Sequence, residues 1–409
     1  MMKKKHIVMI GILLLLTFLL GGCGNKAKSY YETALKHYNQ GEYEASKENF
    51  AKAIELKSDN ADYYIDYGYC LIQLGEYDLA EENFNKAILD KDNAIVNRNN
   101  KKAYRGLGIM YYKAGDYENA LVNFNAALEI DSLNDYDMDI VSYEASTNMM
   151  LCNYEDAIAG FTKIIQSKPK DIEALKSRGE VYYKVGDYDS CVADYTAAKA
   201  LDGTDYDVYI GLYKAYSAMG DNSEATAILN EATKLEIADD EDKINLAKIH
   251  YYQGNIEQAL DGFQYAVELG YVENYIYMGD IYLQKNDFDS AIYYYESYFN
   301  GGGKIDANLC LKLGTCYINE GRYEDARKIT EEGLKLAGAN EKQDLLRNEI
   351  IAYEYLGDFV SAYTKMESYL VAYPEDSEAQ RDLEFLKTRQ GNANDSDDAL
   401  TTTDDIIKP

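Results

Sequence analysis

The side chains best suited to acid–base chemistry are few in this chain, and their placement argues against it. His6 lies in an apolar N-terminal leader, while His37 and His250 fall on helices of widely separated units. A general base must sit within hydrogen-bond reach of the proton it takes, roughly 2.6–3.2 Å, and two histidines so far apart on an extended array cannot cooperate. No Gly-x-Ser-x-Gly elbow, His-Glu-x-x-His pair or phosphate-cradling glycine loop is present. Cys70, Cys152, Cys191, Cys310 and Cys316 lack metal-type spacing, and Cys310 and Cys316 fall on separate faces of one helix and cannot bridge. They read as packing residues. Asp135, Asp137 and Asp139 open like a calcium loop, but Ile140 stands where that loop needs glycine and Ser146 where it needs a bidentate glutamate. This stretch reads as a helix-capping turn. The chain is therefore expected to be no enzyme, with no metal, cofactor or small-molecule substrate. What it does carry is recognition chemistry: 42 tyrosines and no tryptophan, rings that join apolar area to a hydroxyl.

The elements that position these rings repeat. Gly115-Asp-Tyr-Glu-Asn-Ala-Leu-Val-Asn-Phe-Asn-Ala-Ala-Leu128 returns in variant form about every 34 residues, with Gly41, Gly75, Gly115, Cys152, Gly186, Gly220, Gly254, Asn286, Gly321 and Gly357 at the leading place. In the unit that starts at Lys101, Tyr104, Leu107, Gly108 and Tyr111 share one helical face. Gly115 turns the chain and Asp116 is placed to cap a second helix, on which Tyr117, Ala120, Phe124, Ala127 and Leu128 share a face. Such a hairpin has an apolar stripe too wide to bury alone, so neighbouring units must cover it. Small residues (Gly68, Gly108, Gly179, Ala80, Ala120, Ala157) let helix axes approach, at roughly 8–10 Å. Aromatics such as Phe84, Phe124 and Tyr195 then fill the space between units.

Tyr104-x2-Leu-Gly-x2-Tyr followed by Gly-x-Tyr-x2-Ala-x3-Phe-x2-Ala resembles the tetratricopeptide repeat over residues 27–376, about ten units. Asn222, Ile256 and Met366 replace expected aromatics, and the family's closing proline survives only as Pro169 and Pro374. The resemblance implies an all-α, right-handed α-solenoid whose first helices line a concave groove. The family's clamp for carboxylate C-termini is absent, because Lys176 is followed four residues on by Glu180 and Arg105 by Ile109, not by asparagine. Extra residues within 90–100 and before the unit of Cys152 are expected in surface turns, bending the array near Lys101 and Asp139. Gly301, Gly302 and Gly303 read as a flexible joint. Residues 377–390 read as a capping helix and 391–409, polar and acidic, as disordered.

At the N-terminus, Lys3, Lys4 and Lys5 precede an apolar run from Ile7 to Leu20, shorter than the ~20 residues a spanning helix needs. Residues 1–22 therefore read as a secretory signal. Leu20-Gly21-Gly22-Cys23 resembles the bacterial lipobox, which implies cleavage before Cys23 and diacylation of its sulfur, with 23–29 as a short linker. The expected location is the extracytoplasmic face of a cell membrane, a monoderm surface rather than a diderm periplasm.

With 41 basic and 71 acidic residues, a net charge of −30, the chain is unsuited to neutralising phosphates, which excludes nucleic acid. At the expected groove positions, Lys102, Arg105, Lys113, Lys176, Lys184, Lys214 and Lys248 outnumber Asp139, Glu173, Glu180, Asp207 and Glu241. The mid-groove is thus a candidate acceptor of an acidic segment. Tyr31, Tyr38, Tyr69, Tyr112, Tyr183 and Tyr251, with Arg105, Lys176, Lys214 and Lys248, are the candidate binding residues. The expected partner is a protein or peptide captured in the groove by a membrane-anchored scaffold. Two other readings stay open: a lipoprotein holding cell-wall glycan or peptidoglycan on its tyrosines, and an assembly factor for envelope machinery such as pili or secretion complexes.

Overall fold

The computed structural model describes residues 25–390 apart from 134 and 135. The leader, Cys23 and the acidic stretch 391–409 lie outside the described residues. Two compact units divide between Ala232 and Thr233, not near Lys101 or Asp139, where extra residues fall.

The first unit holds α1 (25–39), α2 (Tyr43–Leu56), α3 (Ala61–Gln73), α4 (Tyr77–Ala87), α5 (Ala94–Ala114), α6 (Tyr117–Leu128), α7 (Asp137–Met150), α8 (Tyr154–Ser167), α9 (Ile172–Val185), α10 (Tyr188–Leu201), α11 (Tyr206–Met219) and α12 (Asn222–Ala232). The second holds α13 (Asp240–Tyr252), α14 (Ile256–Glu268), α15 (Asn274–Gln284), α16 (Phe288–Asn300), α17 (Ala307–Asn319), α18 (Tyr323–Leu336), α19 (Ala339–Tyr355), α20 (Phe359–Ala372) and α21 (Ser377–Gln390). The described secondary structure is all helical. Odd-numbered helices from α1 to α19 are the first members of hairpins and even-numbered ones the second. Within the first unit α3 touches α5, α5 touches α7, α7 touches α9 and α9 touches α11, a row of first helices side by side.

Local rules build each hairpin. All ten leading positions of the repeat have positive φ, from 55° at Asn286 and 60° at Cys152 to 82° at Gly115, so each first helix stops there in a left-handed turn. Asp116, Asp187, Asp287 and Asp358 then cap second helices, each accepting from the backbone N–H three residues on. Packing between hairpins depends on missing side chains. Phe84, fully buried, lies between α3 and α5, and a Cβ on Gly68 or Gly106 would stand 2.6 or 2.2 Å from its ring. Tyr195 fills the same role between Gly179 and Gly211. In these two hairpins one aromatic of the second helix thus joins its own first helix to the next. The apolar core follows this stitching from Ala34 to Ile140 without a break.

Two sequence expectations need correction. The extra residues before unit three do not form a surface turn alone. From Ala94 onward they extend α5 at its N-terminus to 21 residues, capped by Asn93, and Asn100 anchors the preceding loop by donating to the Leu89 carbonyl at 2.8 Å while accepting from its N–H at 3.0 Å. Gly301–Gly303 is a packed turn, because Gly303 N–H donates to the Tyr298 carbonyl at 2.9 Å and a Cβ on Gly303 would lie 2.3 Å from the Tyr298 ring.

Candidate functional site

The candidate residues fall into two groups. The larger group is engaged within the array, chiefly between neighbouring first helices. Tyr31 on α1 donates its hydroxyl to Asp66 on α3 and stacks on Tyr63 with centroids 4.5 Å apart. Tyr38 is half-buried, edge-on to Tyr43 at 5.5 Å, and burial raises its phenol. Tyr69 on α3 packs edge-on to Phe84 at 5.3 Å and accepts from Arg105 Nη1 at 2.8 Å; burial pushes its phenol up to about 12. Arg105 also donates through Nε to Asp139 on α7. Burial works against its charge, and Tyr69 and Asp139 more than compensate. Lys176 on α9 donates to Asp205 Oδ2 at 2.8 Å and lies 3.1 Å from Glu173. In the second unit Lys248 donates to Asn245 at 2.8 Å, and Tyr251 accepts from Gln284 Nε2 at 3.1 Å.

These contacts alter the electrostatic reading. Of the cations counted toward an acidic ligand, Arg105 is held by Asp139, Lys102 by Asp62 at 3.1 Å and Lys176 by Asp205. Their charge is spent on neighbouring repeats, so they no longer favour an acidic segment. Asp137, from the calcium-like stretch, pairs with the buried Lys101.

The smaller group is open. Tyr183 is 36% exposed and its ring lies tilted against Tyr188, centroids 5.6 Å apart. Tyr112 is half-buried between Tyr117 and Tyr143, at 5.6 and 6.0 Å, and burial raises its phenol. Lys214 stands exposed with no hydrogen bond or ion pair among the described residues, as does Lys113. Exposed apolar side chains join them at the C-terminal ends of α7, α9 and α11: Met150, Val185 and Met219, each close to 45% exposed. Composition did not single these out, since a methionine or valine just before a turn carries no motif. Reading the exposed register positions of α7, α9 and α11 together would have found them. His37 meets Glu42 on its own hairpin, and no cluster of three or more metal-ligating side chains occurs among the described residues.

Paired helices turning at a left-handed residue, closed by a capping aspartate and stacked through one aromatic, define a helical-repeat solenoid. The chain belongs to the tetratricopeptide-repeat family: models of that repeat match residues 27–60, 59–132, 244–304 and 307–340. It is 25% identical over 231 residues to the TPR repeat-containing protein YpiA of Bacillus subtilis, covering 55% of this chain and 53% of the relative. It is 26% identical over 240 residues to the TPR repeat-containing protein MJ1428 of Methanocaldococcus jannaschii, covering 48% of this chain and 42% of that one. The chain thus spans about half, or less, of these relatives' length. Among solved structures it is similar to a tetratricopeptide repeat protein from Parabacteroides merdae, at 14% identity and a TM-score of 0.45, covering 62% of this chain and 98% of that one.

Proposed function

We propose that this protein is an interaction scaffold that captures a segment of a partner protein along the row of first helices α5 to α11. The observation that carries this reading is the division of labour on that row. Tyr69, Arg105 and Lys176 bind repeat to repeat, while Tyr183, Lys214 and the exposed Met150, Val185 and Met219 are left unspent and Tyr112 stays half-exposed beside them. A surface fixed in advance loses less freedom on binding, and aromatic rings with flexible methionines suit a peptide better than a catalytic substrate. Such a ligand is largely apolar with a few acceptors for the lysines, not a strongly acidic one. No helix among the described residues is long and apolar enough to cross a membrane. The anchor in this reading is diacylated Cys23, which places the repeats at the outer face of a bacterial membrane.

Replacing Tyr112 and Tyr183 by alanine in the full chain tests the site. Affinity for a partner recovered by crosslinking from membranes should fall about 10- to 100-fold, as expected when interface tyrosines are truncated, with an unchanged helical signal. Unaltered affinity would refute the placement. For the anchor, Cys23→Ser should move the protein from the membrane to the soluble fraction, and retention at the membrane would overturn it.

A further inference from the structure

Arg178 in α9, Glu349 in α19 and Glu144 in α7 hold the register position that is leucine in α5, α11, α13 and α17, namely Leu107, Leu212, Leu246 and Leu313. Two of these charges are met from the second helix of the same hairpin, by the residue 16 positions on: Arg178 donates to both oxygens of Asp194 at 2.7 Å, and Lys365 donates to Glu349 at 2.8 Å. Arg178 also reaches Thr162 on the preceding second helix at 2.9 Å. For Glu144 the residue at that spacing is Gly160, and a Cβ there would lie 2.7 Å from the Ala145 Cβ, so α8 packs too close to host a base. Glu144 is half-buried and makes no hydrogen bond or ion pair among the described residues. In place of the internal partner a cavity of about 390 Å³ opens between α6, α7 and α8, lined by Asn125, Asn148, Asp156, Lys163 and Leu121 among others. Asn125 takes on α6 the register position that Thr162 has on α8.

We propose that this cavity binds an organic cation, the ammonium or guanidinium head of a lysine or arginine side chain or of a small amine, seated on Glu144 where the other two hairpins supply their own counter-charge. The volume fits: small-ligand sites occupy roughly 300–1,000 Å³, far more than the ~30 Å³ of one water. Leu121 offers an apolar wall to the methylene shaft, and Asn125 offers an amide oxygen to its N–H groups, with a second lone pair on Asn148 Oδ1 beside the bond it accepts from Asn153 at 3.2 Å. The charge fits as well, with Glu144 and Asp156 against Lys163 alone. Lys163, exposed on α8, is the internal competitor. It does not neutralise Glu144, whose carboxyl is pushed up by burial and by Asp156 despite it. The absence of a three-ligand cluster among the described residues sets this site apart from a metal site.

Calorimetric titration of the full chain with N-acetyl-lysine methylamide, with its arginine counterpart and with cadaverine reads the site. One saturable site is expected. Its affinity should fall at least about tenfold in Glu144→Leu, because truncating one partner of a charge pair has effects of that size or more. It should rise in Lys163→Ala, which removes the competitor and which a purely structural role would not produce. Glu144→Leu should melt no lower than the parent, since leucine is the residue of four sister helices. Tighter binding of the blocked amino acids assigns the site to a partner's side chain, and equal or tighter binding of cadaverine to a free amine. No saturable binding of any probe, or equal affinities in the parent and Glu144→Leu, would overturn the proposal.

Discussion

Lys176 and Lys214 sit on neighbouring first helices, one helical turn apart in register, and opposite consequences follow from reversing them. Lys176 Nζ is 2.8 Å from Asp205 Oδ2, with the side chains only 18% and 21% exposed. Glu173 and Asp207, at 3.1 and 3.9 Å, are 79% and 58% exposed and add little. Unit charges 4 Å apart attract by about 4 kcal/mol at an effective dielectric near 20. Desolvation of both groups offsets much of this, leaving a net contribution of roughly 1–2 kcal/mol. Lys176→Met should therefore destabilise the α9–α11 contact by about that amount. Lys176→Glu adds repulsion from Asp205, whose Oδ1 caps α11 by accepting from Asp207 N–H at 2.9 Å, and should cost about 2–4 kcal/mol. Lys214→Glu, on an exposed side chain without a partner, should stay within about 0.5 kcal/mol. Amide hydrogen exchange resolved to α9, α10 and α11 measures these local differences, which a single melting curve of a repeat array would blur. Equal protection in Lys176→Glu and Lys214→Glu would show that the ion pair is not a stitch.

Further expectations concern the turns, the inter-repeat aromatics and pH. Cys152 holds φ at 60°, a region that glycine occupies without strain, so Cys152→Gly should raise stability by about 0.5–1 kcal/mol in urea titrations. Phe84→Ala should cost about 3–5 kcal/mol and Gly106→Ala about 1–3 kcal/mol. The double variant should cost less than the sum by at least about 1 kcal/mol, because the new methyl enters space the ring has left. Burial and Asp382 push Glu354 up to about 7, with Arg347 opposing. A carboxyl raised on folding holds its proton better folded than unfolded, so its contribution is present at pH 4 and is lost as pH rises through 7. Glu354→Gln should accordingly stabilise the chain at pH 8 and not at pH 4, as read by melts at the two values.

The repeat was legible because its signals are local. A residue at positive φ, an aspartate one place on and a helix-facing alanine are each decided within a few positions, and Cys152 and Asn286 were found by spacing although neither is glycine. The binding face was less legible because groove positions serve two purposes. Arg105 reads as a free cation until Asp139 and Tyr69, each about one repeat away, are set beside it. The extension of α5 was missed because Asn93 caps a helix whose first turns, Ala94 to Asn100, fall in the extra stretch rather than in the repeat. No motif in the sequence singles out Glu144. Only the contrast with Arg178 and Glu349, and Gly160 in the place of Asp194 and Lys365, marks it out.

Capture along the first helices is tested most directly by a photo-crosslinking residue placed singly at Tyr183 on α9, at Lys214 on α11, and at the exposed Glu118 on α6 and Thr196 on α10, with the chain in its native membrane. The expected result is one discrete crosslinked partner from positions 183 and 214 and none from 118 and 196. The same products from all four positions, or products from the second helices alone, would contradict it.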